Sequence, residues 1–593
     1  NEMSIAKPIG AISKILSKTI ASPLYQSMKE KVKKIVDKMP NGTTFIAKRF
    51  EESFKLITPG LLFEEFGIDY IGPIDGNNIE EVVTTLKNVA YLNRPVLLHC
   101  QTIKGKGYQI AEGKYEKWHG VAPFDLNTGQ AIAKSAIKSP TAVFSDTLLS
   151  MAQLNEKIVG VTAAMPSGTG LDKLMDIMPE RFFDVAIAEQ HAVTSMAAMA
   201  KEGFKPYIAI YSTFLQRAFD QIVHDTCIMN LPVVFCIDRA GIVGEDGETH
   251  QGLLDIAYLQ SIPNITLIAP RDNSTLSLQL EYSQYVTSPL AIRYPRGQFM
   301  LEKCYMRLDS IIKDYDTKAR QNIESNNCHV ERSEISQSLD SNKHITESTK
   351  STKETTQTDS KTTACHTEPL GEVSNTESKK VSNKDFSLLS KTQNDKNLES
   401  QPFGRVQGIG VQDNENLESC RIVLKNLHNA QNYNTHLKAH KAQMLYDSLV
   451  HTKDSIQHNT ESSRKKILLI GYGNGVGRML DVWLSLLIEH NIHASLLDII
   501  SLKPLDTDML TMCLRGYTHI FVMSDSYKLN GVGACIMQFA FSELERGNLA
   551  QIPKIISFEI EDIFVKHGNT QKIEKQLNID TESLVSKILK LKN

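Results

Sequence analysis

Asp184-Val185-Ala186-Ile187-Ala188-Glu189-Gln190-His191 decides how this chain is read. An apolar run, Phe182–Ile187, has strand length, and the residues from His191 to Gly203 have helical texture. Glu189 therefore falls just after a buried strand, where a helix begins. In open α/β sheets that carboxyl edge is where ligands bind. A helix-capping acid is the plainer alternative, because a helix N-terminus favours negative charge.

Further apolar runs occur at Ile158–Val161, Tyr207–Ile210 and Val233–Ile237, with a helix-like stretch at Thr213–Met229. Short apolar strands alternating with helices indicate an α/β fold with mostly parallel sheets. Each strand end in this region delivers polar groups to one edge. Tyr211-Ser212-Thr213-Phe214 leads to Arg217; Asp238-Arg239 leads to the loop Gly244–Gly252, with Asp246 and His250; Arg293-Tyr294-Pro295 leads to Arg296. Three arginines at successive strand ends suit an anion through bidentate contacts. Taken singly, each reads as a surface ion pair. The acidic glycine-rich loop lacks EF-hand spacing and reads as a mobile active-site loop.

The chain divides by texture. Residues 1–140 hold helical patches and one clear strand, Val96–Cys100. Residues 141–304 carry the alternating strands and helices. Residues 305–463 are polar, with five aromatics between 310 and 463 (Tyr315, Phe386, Phe403, Tyr433, Tyr446), and are expected to be mostly disordered, with at most a marginal helix in 424–450. Residues 464–593 resume α/β texture, with strands at Ile467–Ile470, Ala494–Leu497, Ile520–Met523 and Ile555–Phe558.

Composition sets the outer limits. The 65 Lys and Arg against 68 Asp and Glu leave a formal charge of −3. Nucleic-acid binders usually carry a basic excess. No apolar run of ~18 residues is present to span a membrane. The nine cysteines are scattered without a C-x-x-C pair, as in a reducing, cytoplasmic protein. Cys328-His329 and Cys365-His366 supply no complete metal-ligand set. Gly471-Tyr472-Gly473-Asn474-Gly475-Val476-Gly477 fails the dinucleotide spacing, since Val476 stands where the third glycine belongs.

Several long motifs carry a resemblance. DVAIAEQHAV (184–193), YSTFLQRAFDQ (211–221), IDRAGIVGEDGETHQG (237–252) and IRYPRG (292–297) resemble the 1-deoxy-D-xylulose-5-phosphate synthase family of transketolase-like enzymes. The likeness extends upstream through FEEFGIDYIGPIDGNN (63–78), QTIKGKGY (101–108), WHGVAPFD (118–125) and the opening NEMSI. It covers residues 1–300 strongly and 466–593 more weakly.

The resemblance implies thiamine-diphosphate-binding folds, a transketolase C-terminal-like domain and a homodimer. Residues 1–140 would be the remnant of a diphosphate-binding domain and 141–304 the pyrimidine-binding domain. It implies condensation of pyruvate with glyceraldehyde 3-phosphate to 1-deoxy-D-xylulose 5-phosphate and CO2. That is the first step of non-mevalonate isoprenoid synthesis, which also feeds thiamine and pyridoxal synthesis. In such enzymes a glutamate hydrogen-bonds N1′ of the cofactor's aminopyrimidine. The imino tautomer then takes the thiazolium C2 proton, and the ylide attacks pyruvate. The match puts that glutamate at Glu189, with Phe214 stacked on the pyrimidine and Ile187 beside it; core packing is the alternative for both. Lys104, Tyr108 and His119 would face the cofactor. Tyr211, Arg217 and Arg296 would hold the sugar phosphate, and Arg239, Asp246 and His250 would line the substrate cavity.

Three departures accompany the likeness. The family's magnesium–diphosphate motif opens on Gly-Asp-Gly, which this chain lacks. Only its end is matched, by Asn1 and Met3, expected to ligate Mg2+ with oxygen donors. A sequence recorded without its N-terminal segment accounts for this. The polar insertion is the second departure. The third is Ser524-Asp525, which stands where the family has two glutamates. Two other readings stay open: another transketolase-like enzyme, and an inactive remnant that only dimerises or binds a partner.

Overall fold

The computed structural model describes residues 63–64, 66–113, 118, 121, 123–132, 137–314, 316–317, 414–429, 441–451 and 465–592. The chain separates into two compact units, one of residues 1–312 with 413–593 and the other of residues 313–412. Almost all of the smaller unit falls outside the described residues. The larger unit contains the three sheets.

The first sheet is a parallel pair, β1 (Asp69–Asp75) with β2 (Val96–Gln101), joined by helix α1 (Ile79–Val89). Asn78 caps α1 by accepting from the amides of Glu80 and Glu81.

The second sheet has seven strands. They are β3 (Ile158–Thr162), β4 (Phe182–Asp184), β5 (Lys205–Tyr211), β6 (Val234–Asp238), β7 (Thr266–Ile268), β8 (Leu290–Arg293) and β12 (Ser501–Lys503), in the order β12-β7-β8-β6-β5-β3-β4. All pairs are parallel except β12 with β7. β3, β5, β6 and β8 are buried at every position, as a sheet covered on both faces requires. Helix α2 (Pro140–Leu154) covers one face with Phe144, Leu148 and Met151; Ser139 caps it and Pro140 opens it. Helix α3 (Glu189–Lys201) and helix α4 (Asn273–Ser283, capped by Asp272) complete the layers. The chain runs outward from β3 to β4 and returns on the other side of β3 to β5. The topological switch point lies between β3 and β5.

The third sheet is β14-β13-β10-β11-β9, built from β9 (Gln443–Tyr446), β10 (Ile467–Gly471), β11 (Ser495–Asp498), β13 (His519–Met523) and β14 (Lys554–Ser557). Its helices include α5 (Asn414–Asn429), α6 (Asn474–His490), α7 (Thr507–Gly516), α8 (Val532–Glu545), α9 (Thr570–Gln576) and α10 (Thr581–Lys592). β9 runs antiparallel to β11. This corrects the expected extent of the polar insertion. α5 and β9 lie inside 305–463, yet Leu417, Cys420, Val423, Leu445 and Tyr446 are core residues of the C-terminal domain. Residues 318–413, which hold most of the expected disordered stretch, lie outside the described residues.

The C-terminal domain also contributes the edge strand β12 to the seven-stranded sheet. One apolar core runs from Val159, Ile208 and Phe235 through Leu267 to Leu468, Ile470 and Leu497. The glycine-rich start of α6 is filled by protein. A Cβ at Gly475 would strike the carbonyl of Met523, and one at Gly477 the backbone of Met300 and Leu301. The tight approach explains the glycines without a nucleotide.

Candidate active site

β4 ends at Asp184, and the chain bends through Val185–Ala188 before α3 starts at Glu189. Asp184 Oδ1 accepts the amide of Ala164, after β3, at 2.7 Å and that of Ala186 at 2.9 Å. Both alanines have left-handed backbone, at φ 65° and 59°. Such a residue costs roughly 1–3 kcal/mol and persists where its surroundings over-determine it. Asp184 is that determinant. It fixes the turn that presents Ile187, 39% exposed, and sets the start of α3.

Glu189 is 2% exposed. Burial raises its carboxyl above the ordinary range, while the Arg217 guanidinium, with Nη1 2.9 Å from Oε2, pulls the other way. No donor is aligned for a hydrogen bond at that buried oxygen. Burial dominates, so this carboxyl holds its proton to higher pH than a surface glutamate. Arg217 sits in a 3-10 turn, Gln216–Ala218, within a helical run that changes character three times between Ser212 and Cys227 and ends in a π segment. The continuous helix expected over Thr213–Met229 is therefore broken. π segments recur at functional sites.

Next to this pair, Tyr211 ends β5. Its ring stacks on Phe214 at 5.6 Å, and Phe214 meets His250 edge-on at 5.1 Å. The Arg239 guanidinium lies 4.1 Å above the Tyr211 ring centre, a cation–π contact. Arg239 itself has left-handed backbone, φ 57°, and its side chain turns back to pair with Asp238 at 3.0 Å and to donate to the Gly168 carbonyl. Burial raises the Asp238 carboxyl, against the lowering pull of Arg239 and of the Thr141 hydroxyl, which donates at 2.8 Å. Arg296 Nη2 lies 3.1 Å from Asp246 and Nη1 donates to the Val243 carbonyl at 3.2 Å. Burial pushes His250 below its usual range, with Asp246 opposing, so its ring is neutral at pH 7.

Tyr211, Phe214, Arg239, Asp246, His250 and Arg296 thus gather at the carboxyl edge beside the switch point. Arg217 lies one turn of chain beyond Phe214 and reaches Glu189 at the start of α3. Arg217, expected on the sugar phosphate, is found on Glu189. Phe214, expected on the pyrimidine, is found between Tyr211 and His250. Tyr108 belongs to a separate aromatic group with Trp118 and Phe124, and its hydroxyl donates to the Leu126 carbonyl at 2.7 Å. Lys104 is half-buried in the turn after β2. Asn1, Met3 and His119 lie outside the described residues.

Sequence reasoning missed Asp184, Asp238 and Thr141 as supports. Asp184 stood in the deciding motif, but nothing in the spacing says which amides it accepts. Asp525, in the weakly matching Ser524-Asp525, is a structural hub. It takes Arg478 Nε at 3.0 Å and Asn474 Nδ2 at 2.9 Å, and its carbonyl accepts from Arg293 at 3.2 Å. Among the described residues no group of three His, Cys, Asp or Glu side chains is placed to hold a metal ion.

Residues 1–102 match 1-deoxy-D-xylulose-5-phosphate synthase, 138–300 the transketolase pyrimidine-binding domain and 457–584 the transketolase C-terminal domain. The 1-deoxy-D-xylulose-5-phosphate synthase of Helicobacter hepaticus is 44% identical over 99% of this chain and 70% of that protein. Those of Helicobacter pylori strain G27 (44% identical) and Campylobacter jejuni serotype O:6 (42%) align over 100% of this chain and 72% of theirs. A solved transketolase from Campylobacter jejuni is more distant, at 14% identity and TM-score 0.43 over 90% of this chain and 68% of that one. Identity along the whole of this chain to these synthases, together with the two transketolase domains, places the chain in the 1-deoxy-D-xylulose-5-phosphate synthase family of transketolase-like transferases.

Proposed function

We propose that this chain condenses pyruvate with glyceraldehyde 3-phosphate to 1-deoxy-D-xylulose 5-phosphate, releasing CO2, with thiamine diphosphate as cofactor. One observation carries the reading: a buried carboxyl, Glu189, whose Oε2 lacks an aligned hydrogen bond, placed at the switch-point edge. A buried carboxyl that burial keeps protonated to higher pH fits the ring nitrogen of an aminopyrimidine. The thiazolium, when bound, supplies the electron sink for decarboxylation.

The chain's own groups do the rest. Glu189 would hold the aminopyrimidine by sharing a proton with its ring nitrogen, while Arg217 keeps the carboxyl in place. Phe214 and Ile187 offer apolar surface to the ring. Arg296, partly exposed and paired with Asp246, opens to a phosphate, because a doubly charged oxyanion competes well with a single carboxylate. Arg239 adds its charge from behind Tyr211. Neutral His250 can accept or donate a proton at a substrate hydroxyl.

Mg2+ would be held by Asn1 and Met3. A cytoplasmic homodimer is the expected setting. The seven described cysteines are unpaired thiols, and no described helix is long and apolar enough to cross a membrane. A partner copy would cover exposed apolar groups such as Leu529, Phe541 and Phe564.

Calorimetric titration of the full chain with thiamine diphosphate and Mg2+, followed by product assay from the two substrates, tests the proposal. Binding that is lost in Glu189→Ala, with the fold intact by circular dichroism, supports it. No affinity of the wild type for the coenzyme refutes it, and binding without turnover is the result an inactive remnant gives.

A further inference from the structure

The loop that carries Asp246 and His250 belongs by sequence to the pyrimidine-binding domain, but its fastenings reach into the C-terminal domain. Its base is closed by a backbone pair, with the Gly241 amide donating to Gly252 at 2.6 Å and the reverse bond at 2.8 Å. Gln251, next to His250 and 8% exposed, faces two ways. Its Oε1 accepts the Val243 amide at 2.9 Å within the loop, and its Nε2 donates to the Lys566 carbonyl at 3.4 Å. The Gly568 amide donates to the Gly244 carbonyl at 3.3 Å. The two contacts bracket Asp246 and His250 in the chain. The turn that makes them leads directly into α9, which Asn569 caps from its side chain. Glu574 in α9 pairs with Arg478 Nη2 at 2.8 Å, and Arg478 with Asp525, so the turn is tied to buried charge rather than left as a free surface segment.

We infer that the C-terminal domain is a positioning element for the substrate loop, acting through Gln251 and the 566–568 turn. Gln251 is a positioning residue: its amide sets where Asp246 and His250 stand, and through Asp246 where Arg296 points. The inference rests on the proposed reading for the ligand these groups meet, the phosphorylated aldehyde. It assigns the third domain a part in substrate recognition beyond assembling the molecule.

The test replaces one half of the Gln251 amide. Gln251→Glu keeps an acceptor for Val243 and turns an oxygen against the Lys566 carbonyl. In the full chain it should raise KM for glyceraldehyde 3-phosphate about tenfold, the scale on which small misplacement of binding groups acts. KM for pyruvate and affinity for thiamine diphosphate should stay within about twofold, since those groups lie elsewhere on the edge. Hydrogen exchange of the amides from Gly244 to His250 should quicken. Lys566→Ala, which keeps the carbonyl, should change neither reading. If Gln251→Glu does not fold, Gly244→Ala attacks the same contact from the other side, where its Cβ would stand 2.6 Å from Thr570 Oγ1 and 2.9 Å from the Gly568 carbonyl. Unchanged exchange in the loop, or KM values for both substrates rising together, overturns the inference. Failure of the functional reading is distinguishable: the wild type then binds no coenzyme, while the exchange measurement still decides whether the C-terminal turn holds the loop.

Discussion

Glu189→Gln separates function from stability at the heart of the site. The carboxyl is buried, its partner Arg217 remains 44% exposed at the side chain, and one of its oxygens has no aligned donor. Replacing a buried ion pair by neutral groups is often neutral or stabilising by about 1–4 kcal/mol. The Arg217 end keeps water contact after the change, so no stranded charge offsets the gain. We expect a gain of about 1 kcal/mol at neutral pH, or roughly 1–2 °C in Tm for a cooperative unit that spans both domains. The sign of the pH dependence follows from the raised carboxyl. Below its ordinary range, near 4.5, folded and unfolded chains both hold the proton. As pH rises, the unfolded chain loses it first, so stability falls until the folded carboxyl has ionised too. The gain in Glu189→Gln should therefore vanish near pH 4 and grow as pH rises above the ordinary carboxylate range. Turnover should meanwhile fall by about 10²–10⁴, the usual scale for a lost proton-transfer group. Denaturant titration of both proteins across pH, beside product formation, measures both quantities. A variant less stable than wild type at neutral pH, or one that keeps turnover within tenfold, would show that Glu189 merely caps α3.

Three other changes probe the frame around it. Arg478→Leu leaves the buried carboxylates of Asp525 and Glu574 without their shared cation and should cost about 3–5 kcal/mol in urea unfolding; a loss under 1 kcal/mol would mean the network is incidental. Asp184→Ala removes the acceptor for two strained amides and should cost about 2–4 kcal/mol, offset in part by relaxed backbone, with kcat reduced more than KM; a normal kcat would detach the turn from the position of Glu189. Arg296→Ala should raise KM for glyceraldehyde 3-phosphate about 10–100-fold while leaving use of unphosphorylated glyceraldehyde unchanged, and equal effects on both would remove the phosphate role.

What could be read from sequence was what repeats. β3, β5 and β6 are apolar at nearly every position because both faces are covered, and their ends place Tyr211 and Arg239 at one edge by strand direction alone. Glu189 was legible for the same reason. The supports were not, because they depend on pairings across long sequence separations: Asp184 with Ala164, Thr141 with Asp238, Gln251 with Lys566. The run from Ser212 to Cys227 has helical composition, and nothing local says that it breaks; the breaks accompany Phe214 turning to Tyr211 and Arg217 reaching Glu189. β9 was hidden because four residues, Gln443–Tyr446, form an edge strand with two fully buried positions inside a polar stretch. The period-2 signal is too short there to stand out.

The placement of strain and of support is complementary. Left-handed Ala164, Ala186 and Arg239 all follow strands at the carboxyl edge, where ligand groups gather. Residues so held need surroundings that over-determine them. Much of that support comes from the C-terminal domain. Ser501–Lys503 closes the exposed edge of β7, a long Lys503 side chain donates to the Gln260 carbonyl at 3.0 Å, and buried Arg271 meets Asp498 at 2.7 Å across the two domains. Arg293, at the end of β8, pairs with Asp255 and donates to the Asp525 carbonyl, so a strand that points at the site is anchored from the far domain. A single apolar core continues through both sheets. Opening this junction would expose the β7 edge, uncover buried charges and release the loop bearing Asp246 and His250 in one step. The two domains should therefore unfold as one cooperative unit, and substrate recognition should fail no later than the junction does.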